Sequence, residues 1–397
     1  MAGEGGVMPV YPSEKAQKTS SIENEWVKVK LGDCLIDHKQ GKKHKKGKKP
    51  KHLSQKYSEG VLPYATAEYF RTCKAVDFVP VDYLDSCVHI KKDDLIIIWD
   101  GSNAGEVFVG REESVLASTM ALLEVNKTLL DTKFCYFFLK ADFNILNDYV
   151  TGSTIPHVSS NILTNLEIPI PPLPEQRRIS ALLGSIEKAI SLERRCEESL
   201  TTIKRAAMHV VFNPANKVGW EKIKLGEILK LEYGKPLPKE DRCNHGGFPA
   251  FGANGILCWS KKAYRNEPSI IVGRKGSAGE VNLTNGPFYP TDVTFFVVHN
   301  EKKALLKYLY YLLIQLNLKR LVQGIKPGIN RNDVYALNTY IPPLHEQQEI
   351  VDFLTTLDQK LDIHRRKRAC LENIFRLFLH NLTRGTLRFT DLPEGCF

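Results

Sequence analysis

Apolar residues recur at alternating steps of four and three along two long stretches of the chain, which is the spacing of helices that pack along one seam. The first seam runs through positions 179, 183, 186, 190, 193, 197, 200, 204, 207 and 211, and the second runs from 350 to 382. We predict a first helix over residues 175–213, stopped at Asn213-Pro214, and a second that ends at Arg384-Gly385. A stripe this regular favours helix–helix packing over a binding site.

The middle of each seam is polar, and its charges predict how the two helices pair. Glu193 and Glu197 lie at the centre of the first seam, whereas His364 and Arg368 lie at the centre of the second. Antiparallel pairing within one chain places Glu193 and Glu197 opposite Arg368 and His364, while parallel pairing of two first helices would place acid against acid. Such exposed pairs contribute only tenths of a kcal/mol, so we expect them to specify orientation.

The stretches before each helix have the pattern of mixed α/β blocks. Runs of β-branched and aromatic residues at 95–99, 269–272 and 293–298 predict buried strands. Residues 133–149 and 302–322 have the helical spacing of aromatic and leucine residues.

The chain contains an internal repeat. Trp26-Val-Lys-Val-Lys-Leu-Gly returns as Trp220-Glu-Lys-Ile-Lys-Leu-Gly, and Ile170-Pro-Pro-Leu-Pro-Glu-Gln returns as Ile341-Pro-Pro-Leu-His-Glu-Gln. Each copy is therefore a block, a Pro-rich segment and a helix. The predicted boundaries are a tail (1–25), a first block (26–168, with an insert at 39–56), a first Pro-rich segment and helix (169–214), a second block (215–340), a second Pro-rich segment and helix (341–386), and a C-terminal tail (387–397).

The positive charge of the chain is local. The net charge of the 397 residues is +10, and nine lysines without an acid lie within residues 39–56, which leaves the rest nearly neutral. Self-repulsion and the glycines predict a mobile loop there. Clustered lysines gain affinity for DNA by releasing counterions, so we interpret the loop as a phosphate-contacting arm, with a solvated insert as the alternative. The candidate lysines are Lys42, Lys43, Lys45, Lys46, Lys48 and Lys49.

Several classes of protein are disfavoured by what the sequence lacks. It shows no signal-peptide pattern and no apolar run of membrane-spanning length, and its nine cysteines are scattered without a C-x-x-C pair. We therefore expect a cytoplasmic protein with reduced thiols, no contact with a membrane and no metal site. No nucleotide-binding loop, Asn-Pro-Pro-Tyr motif or dinucleotide fingerprint is present, so we expect no catalytic residue, and two similar blocks favour paired recognition over chemistry.

With these motifs in place, the chain resembles the specificity (S) subunit of type I restriction–modification enzymes from about Trp26 to Gly385. The resemblance rests on the repeated Pro-Pro-Leu-x-Glu-Gln motif with its long helix. It also rests on the segments 248–255, 272–279 and 289–296 of the second block and on looser versions at 62–67, 98–105 and 152–156 of the first. The Pro-containing N-terminal tail and the lysine insert depart from the usual pattern.

The resemblance implies an α+β fold with a pseudo-twofold internal repeat, in which two mixed α/β target-recognition domains are joined by two long antiparallel coiled-coil helices. In that family the S subunit is not catalytic, each domain reads one half of a bipartite, asymmetric DNA site, and the helices dock two methyltransferase subunits. Those partners use S-adenosylmethionine, and motor–nuclease subunits that use ATP and Mg²⁺ join them, so no cofactor is expected on this chain. A non-catalytic scaffold with two protein-binding domains is the alternative.

The candidate base-reading residues lie on short turns, where Arg and Asn can make bidentate contacts to guanine or adenine. Arg274 and Lys275 precede a Gly-Ser-Ala-Gly turn, and Asn330 and Arg331 follow Pro327-Gly328, with helix capping as the alternative role of Asn330. The Gly-bracketed turns themselves fit plain turn chemistry or close approach to a ligand. Besides the six lysines, the full set of candidate DNA-binding residues is Tyr64, Thr66, Asn103, Ser153 and His157 in the first block, and Asn254, Arg274, Lys275, Ser277, Lys326, Asn330 and Arg331 in the second.

Overall fold

A computed structural model describes residues 26–37, 42–148, 156–213, 219–324 and 327–391. The chain divides into two compact units. Unit 1 combines Met1–Leu192 with Arg368–Phe397, and unit 2 is the continuous segment Glu193–Lys367. All cysteines in the described ranges are free thiols. Among the described helices, none has the length and apolar character needed to span a membrane.

The described part of unit 1 contains two four-stranded sheets and one strand pair. In chain order its strands are β1 (Val27–Lys30), β2 (Lys45–Lys46), β3 (Leu62–Ala65), β4 (Phe78–Val79), β5 (His89–Ile90), β6 (Leu95–Ile98), β7 (Val107–Val109), β8 (Ser114–Leu116), β9 (Met120–Leu123) and β10 (Glu167–Ile170). The sheet orders are β2-β9-β6-β7 and β4-β3-β8-β5, and β1 pairs with β10. Strand β6 is buried along its whole length, as its unbroken β-branched run predicts.

Unit 2 repeats this arrangement. Its strands are β11 (Glu221–Lys224), β12 (Leu229–Tyr233), β13 (Arg242–Cys243), β14 (Phe248–Gly252), β15 (Gly255–Ser260), β16 (Ile270–Gly273), β17 (Val281–Leu283), β18 (Tyr289–Pro290), β19 (Thr294–His299) and β20 (Asn338–Ile341). The sheet orders are β12-β19-β16-β17 and β13-β15-β14-β18, and β11 pairs with β20. The predicted strands at 269–272 and 293–298 correspond to β16 and β19.

Short helices cover the sheets, and one long helix follows each block. The α-helices are α1 (Ala67–Thr72), α2 (Thr132–Ala141), α3 (Phe143–Asp148), α4 (Ser160–Asn165), α5 (Leu173–Val211), α6 (Leu306–Gln315), α7 (Arg331–Tyr335) and α8 (Leu344–Arg384). Short 3-10 helices occupy Leu31–Cys34, Val81–Ser86, Leu225–Glu227, Lys239–Asp241, Leu318–Leu321 and Phe389–Asp391. Helices α5 and α8 have 39 and 41 residues, so each is about 60 Å long. Residues 387–391, placed in a tail from the sequence, include Leu387 and Phe389, which pack on the unit 1 core.

The repeated Pro-Pro-Leu-x-Glu-Gln motif anchors each long helix to its block. Gln176 is fully buried, and its Nε2 donates to the carbonyls of Leu129 (3.1 Å) and Pro171 (2.8 Å), while its Oε1 accepts from the Asp131 amide at 2.7 Å. The preceding Glu175 accepts a hydrogen bond from the indole of Trp26 at 3.2 Å. One buried side chain therefore satisfies three backbone groups where sheet, helix and loop meet.

The second copy of the motif makes the same bonds. Gln347 donates to the carbonyls of Lys303 and Pro342, both at 2.9 Å, and accepts from the Leu305 amide at 2.8 Å. The indole of Trp220 donates to the Glu346 carboxylate at 2.9 Å. In each copy, the repeated tryptophan therefore binds the repeated Pro-Pro-Leu-x-Glu-Gln motif and helps to anchor the long helix.

Within each unit the long helices pack through the predicted seam. In unit 1 the buried Leu183 of α5 belongs to the same core cluster as Leu379 and Leu382 of α8. In unit 2 Met208 of α5 clusters with Leu354 and Leu357 of α8. The apolar ends of each seam are therefore helix–helix contacts.

Charged contacts in unit 2 show the orientation of the pair. Glu193, only 6 % exposed, contacts His364 Nδ1 at 2.5 Å and Lys367 Nζ at 2.6 Å. Eleven residues later on α5, Lys204 pairs with Asp358, which lies earlier on α8, so the helices run antiparallel. Hydrogen bonds from Lys367 and then His364 lower the pKa of Glu193, and the bond to Glu193 raises the pKa of Lys367.

The register of the mid-seam pairs differs from the prediction, since His364, predicted opposite Glu197, contacts Glu193. Lys367, which the seam positions omit, is the second partner of Glu193. Arg368 donates to Glu372 of its own helix at 2.9 Å. The pairing of Glu197 stays a prediction.

The prediction that the lysine insert forms no regular element is wrong at residues 45 and 46. Lys45 and Lys46 form β2, which pairs with Leu122 and Ala121 of β9. The adjacent Gly47 packs so tightly that a Cβ there would lie 2.1 Å from the Ala117 carbonyl oxygen. Self-repulsion is overcome because acids that are distant in sequence lie beside the lysines.

Candidate functional site

In unit 2, two arginines flank one exposed aromatic ring. Tyr233 ends β12 and is 47 % exposed. The guanidinium carbons of Arg274 and Arg331 lie 5.2 Å and 5.3 Å from the centroid of its ring. Arg274 also donates through Nε and Nη2 to the carbonyl of Asp292 at 3.2 Å and 2.6 Å, which fixes its direction. An ordered pair of cations on an aromatic surface results.

Backbone contacts bring the second predicted turn to the same place. The amide of Ile329 donates to the Arg274 carbonyl at 3.1 Å, and Lys275 forms an isolated bridge with Gly328. The segments that follow β16 and precede α7 therefore lie side by side, although more than fifty residues separate them in the chain. Their side chains form one cationic edge, on which Lys275 is exposed and Arg274 and Arg331 are partly buried.

A cleft of about 470 Å³ lies beside this edge, and two more candidates, Asn254 and Ser277, line it together with Lys275. The opposite side is the tip of the β14–β15 hairpin, where Ile256 and Leu257 are 57 % and 65 % exposed. Amide, ammonium, hydroxyl and exposed aliphatic groups thus lie together. These are the groups that distinguish the edges of base pairs, including the thymine methyl group.

Asn330 has a structural role that the sequence left open. Its Oδ1 accepts a hydrogen bond from the amide of Asn332 at 2.9 Å, and it is the N-cap of α7. The helix-capping alternative describes what the structure shows. The candidates Lys326 and Ser153 lie outside the described residues.

In unit 1, the equivalent turn carries an acid and not a cation. Asn103 is exposed at the tip of the turn between β6 and β7. Asp100 begins that turn, forms an isolated bridge with His157, and accepts a contact from Lys46 Nζ at 2.5 Å. Asn103, His157 and Lys46 therefore share one edge of unit 1, and sequence reasoning missed the acid between them.

Two candidates of the first block have structural roles, which corrects their assignment. Tyr64 is 8 % exposed, and its hydroxyl accepts a hydrogen bond from the Ser118 amide at 3.1 Å. Thr66 is the N-cap of α1, and its Oγ1 accepts from the Tyr69 amide at 3.3 Å. Both side chains make structural hydrogen bonds because this segment of the first block forms a strand followed by a helix.

The six candidate lysines divide into two groups. Lys42, Lys48 and Lys49 are exposed. The other three contact acids: Lys43 contacts Asp37 at 2.9 Å, Lys45 contacts Glu124 at 2.8 Å and Lys46 contacts Asp100. Lys45 and Lys46 are exposed as well, but their ammonium groups contact carboxylates, and Lys43 is partly buried.

Aromatic residues next to the turns are the functional candidates that sequence reasoning missed. Tyr233 organises the cationic edge of unit 2, and His44 stacks on Trp99 at 3.7 Å in unit 1. For Tyr233 the available signal was its position, because it is the last residue of strand β12 and directly precedes Gly234. Within the described ranges, no group of three His, Cys, Asp or Glu side chains could hold a metal ion.

Comparison with known proteins identifies the family. The family model described as the type I restriction modification DNA specificity domain matches residues 23–202 and 217–373, one match in each half of the chain. The type I restriction enzyme MjaVIII specificity subunit of Methanocaldococcus jannaschii is 25 % identical and covers 97 % of this chain and 99 % of its own length. The putative type I specificity subunit S.MgeORF438P of Mycoplasma genitalium is 24 % identical over 93 % of this chain and 95 % of its own.

A solved structure has the same fold. The crystal structure of the S subunit of a type I restriction–modification system from M. genitalium superposes with a TM-score of 0.71 at 20 % identity, covering 91 % of this chain and 96 % of that one. The α+β fold with two repeated domains and two long helices is thereby confirmed. The chain belongs to the type I restriction–modification DNA specificity family, the non-catalytic subunits that recognise the DNA sequence for these enzymes.

Proposed function

We propose that the exposed turn edge of each unit reads one half of a bipartite, asymmetric DNA site. The observation that carries this proposal is the cationic edge of unit 2, where Arg274 and Arg331 are oriented on Tyr233 and Lys275 lies beside them. Oriented guanidinium groups suit bidentate contacts to guanine, whereas flexible lysines suit phosphates. Unit 1 offers a different set of side chains on its edge, which supports an asymmetric site.

The partners follow from the same proposal. Helices α5 and α8 would dock two methyltransferase subunits that use S-adenosylmethionine, and motor–nuclease subunits that use ATP and Mg²⁺ would complete the assembly. This chain itself would carry no cofactor and would act in the cytoplasm, where the DNA is. The continuous length of both helices, 39 and 41 residues, supports this docking role.

Selection from a randomised duplex library tests the proposal. The full chain, alone and with its methyltransferase subunits, is incubated with the library at two salt concentrations, and the bound DNA is sequenced. We expect a motif with two specified halves separated by unspecified base pairs. No enrichment under any of these conditions would contradict DNA reading and favour a protein-binding scaffold.

Alanine substitutions locate the reading surface. Arg274→Ala and Arg331→Ala should each relax one half of the motif, with a loss of about 1–3 kcal/mol where a bidentate base contact is removed. Lys302→Ala, an exposed cation in the same unit, is the matched control and should leave the motif unchanged. Relaxation in both halves would show that the reading surface is not confined to one unit.

A further inference from the structure

The turn that follows β6 in unit 1 is held by a specific set of backbone hydrogen bonds. The amides of Trp99 and Asp100 both donate to the carbonyl of Thr119, at 2.8 Å and 3.0 Å. The carbonyl of Trp99 accepts from the Val158 amide at 2.9 Å, and Asp100 forms a bridge with His157. These bonds fix the backbone from which the Asp100 side chain leaves.

The corresponding turn of unit 2 makes the same bonds with different residues. The amides of Arg274 and Lys275 both donate to the carbonyl of Val293, at 2.8 Å and 3.2 Å. The Arg274 carbonyl accepts from the Ile329 amide at 3.1 Å, and Lys275 forms a bridge with Gly328. Every backbone contact of the acid in unit 1 thus has a counterpart at Lys275.

The glycines that directly follow strands β2 and β12 confirm that the two turns correspond in this way. A Cβ at Gly47 would lie 2.1 Å from the Ala117 carbonyl oxygen, and a Cβ at Gly234 would lie 2.1 Å from the Thr291 carbonyl oxygen. The residues before these glycines are Lys46 and Tyr233, so they occupy the same place. Unit 1 therefore has its cation on the strand and an acid on the turn, whereas unit 2 has an aromatic ring on the strand and cations on the turn.

We propose that Asp100 and Lys275 are equivalent specificity-determining residues, which make opposite choices at the matching base pair of the two half-sites. Asp100 accepts a hydrogen bond from the exocyclic amino group of cytosine, and Lys275 donates to the acceptor edge of guanine. This inference rests on the proposed function and adds the base class that each unit selects.

The chemistry of the two side chains supports this assignment. A carboxylate only accepts, and a cytosine amino group is the donor that Asp reads in the major groove, whereas Lys donates to guanine O6 or N7. The Asp100 side chain is 23 % exposed, and Lys46 takes one of the roughly four acceptor sites of its carboxylate. Lys275 is exposed and lines the cleft beside Asn254.

Charge exchange at the two positions tests the proposal in the library selection described above, with the full chain and its methyltransferase subunits. Asp100→Lys should change the preference at one base pair of one half-site from cytosine to guanine, by about tenfold. Asp100→Asn, which keeps the shape, should shift the same position toward adenine. Lys275→Asp should replace guanine by cytosine at one position of the other half-site. Asp85→Lys, an exposed acid elsewhere in unit 1, is the control for added positive charge and should leave the motif unchanged.

The outcomes separate this inference from the proposed function. If the unchanged chain enriches no motif, the proposed function fails. If it enriches a gapped motif that both Asp100 variants retain, the assignment of Asp100 is overturned while DNA reading stands. A uniform loss of affinity without a change in base preference also overturns it, since Asp100 would then act only by holding Lys46. If thermal unfolding shows that Asp100→Lys does not fold, Asp100→Asn and Lys275→Asp decide whether the two residues select bases.

Discussion

Replacing Gln176 with Met should uncouple the first long helix from its block. The methionine side chain has a similar volume and cannot make any of the three hydrogen bonds that Gln176 makes with backbone groups at 2.7–3.1 Å. Each buried polar group left without its partner costs about 1–3 kcal/mol, and the carbonyls recover part of this through water or other donors. We therefore expect a loss of about 3 to 5 kcal/mol, a large part of the stability of a typical domain.

The assay is urea unfolding together with amide hydrogen exchange. Exchange should accelerate in unit 1, at the ends of α2 and α5 around the lost bonds, and remain unchanged in unit 2. Gln347→Met should produce the reverse pattern because it makes the same bonds in unit 2. Gln348→Met, which removes only an exposed bond to Asp352, is the control and should stay within about 0.5 kcal/mol of the unchanged chain. A Gln176→Met protein as stable as this control would refute the anchoring role.

Three further predictions concern the lysine strand and the helix pair. Gly47→Ala should lower the free energy of unfolding by about 1–3 kcal/mol because the added Cβ meets a carbonyl oxygen. Gly184→Ala, in open space on a helix, should raise it by about 0.5–1 kcal/mol. Equal effects of the two substitutions in denaturant unfolding would contradict the close packing of the lysine strand. Exchanging the exposed Lys48 and Lys49 for Gln should reduce the slope of log K against log salt by up to about 1.8 without changing the motif, and an altered motif would assign them to base reading. Glu193→Gln should destabilise unit 2 at neutral pH but not in strong acid. The pKa of Glu193 is lowered in the folded protein, so its contribution to stability is present above the unfolded pKa near 4.3 and is lost as the pH falls through the folded pKa. A difference in urea midpoint that does not depend on pH would contradict this.

Sequence periodicity predicted the parts of the fold that local pattern determines. The seam predicted the first helix at 175–213, and α5 occupies Leu173–Val211, because a helical stripe is written in neighbouring residues. The same is true of the β-branched run that became β6. The antiparallel orientation of the two long helices could also be predicted, since that prediction required only the signs of the charges at known heptad positions.

The lysine strand could not be predicted because its stabilising contacts are distant in sequence. Nine lysines in one segment indicate self-repulsion, but the acids that contact Lys45 and Lys46, Glu124 and Asp100, belong to other parts of the fold. The site shows the same limit. Arg274 and Arg331 were predicted as separate candidates, and only the fold shows that both lie on Tyr233.

The discontinuity of unit 1 has a consequence for the order in which the chain can fold during synthesis. Leu183 shares its core with Leu382, and all of unit 2 is translated between them. At about 5 to 20 residues per second, the ribosome needs roughly 10 to 40 s to supply that partner. Unit 2 is continuous and can complete its core first, while the apolar stripe of the nascent first half waits exposed. Chains released early would carry that stripe uncovered, which makes them natural targets for chaperones and proteases.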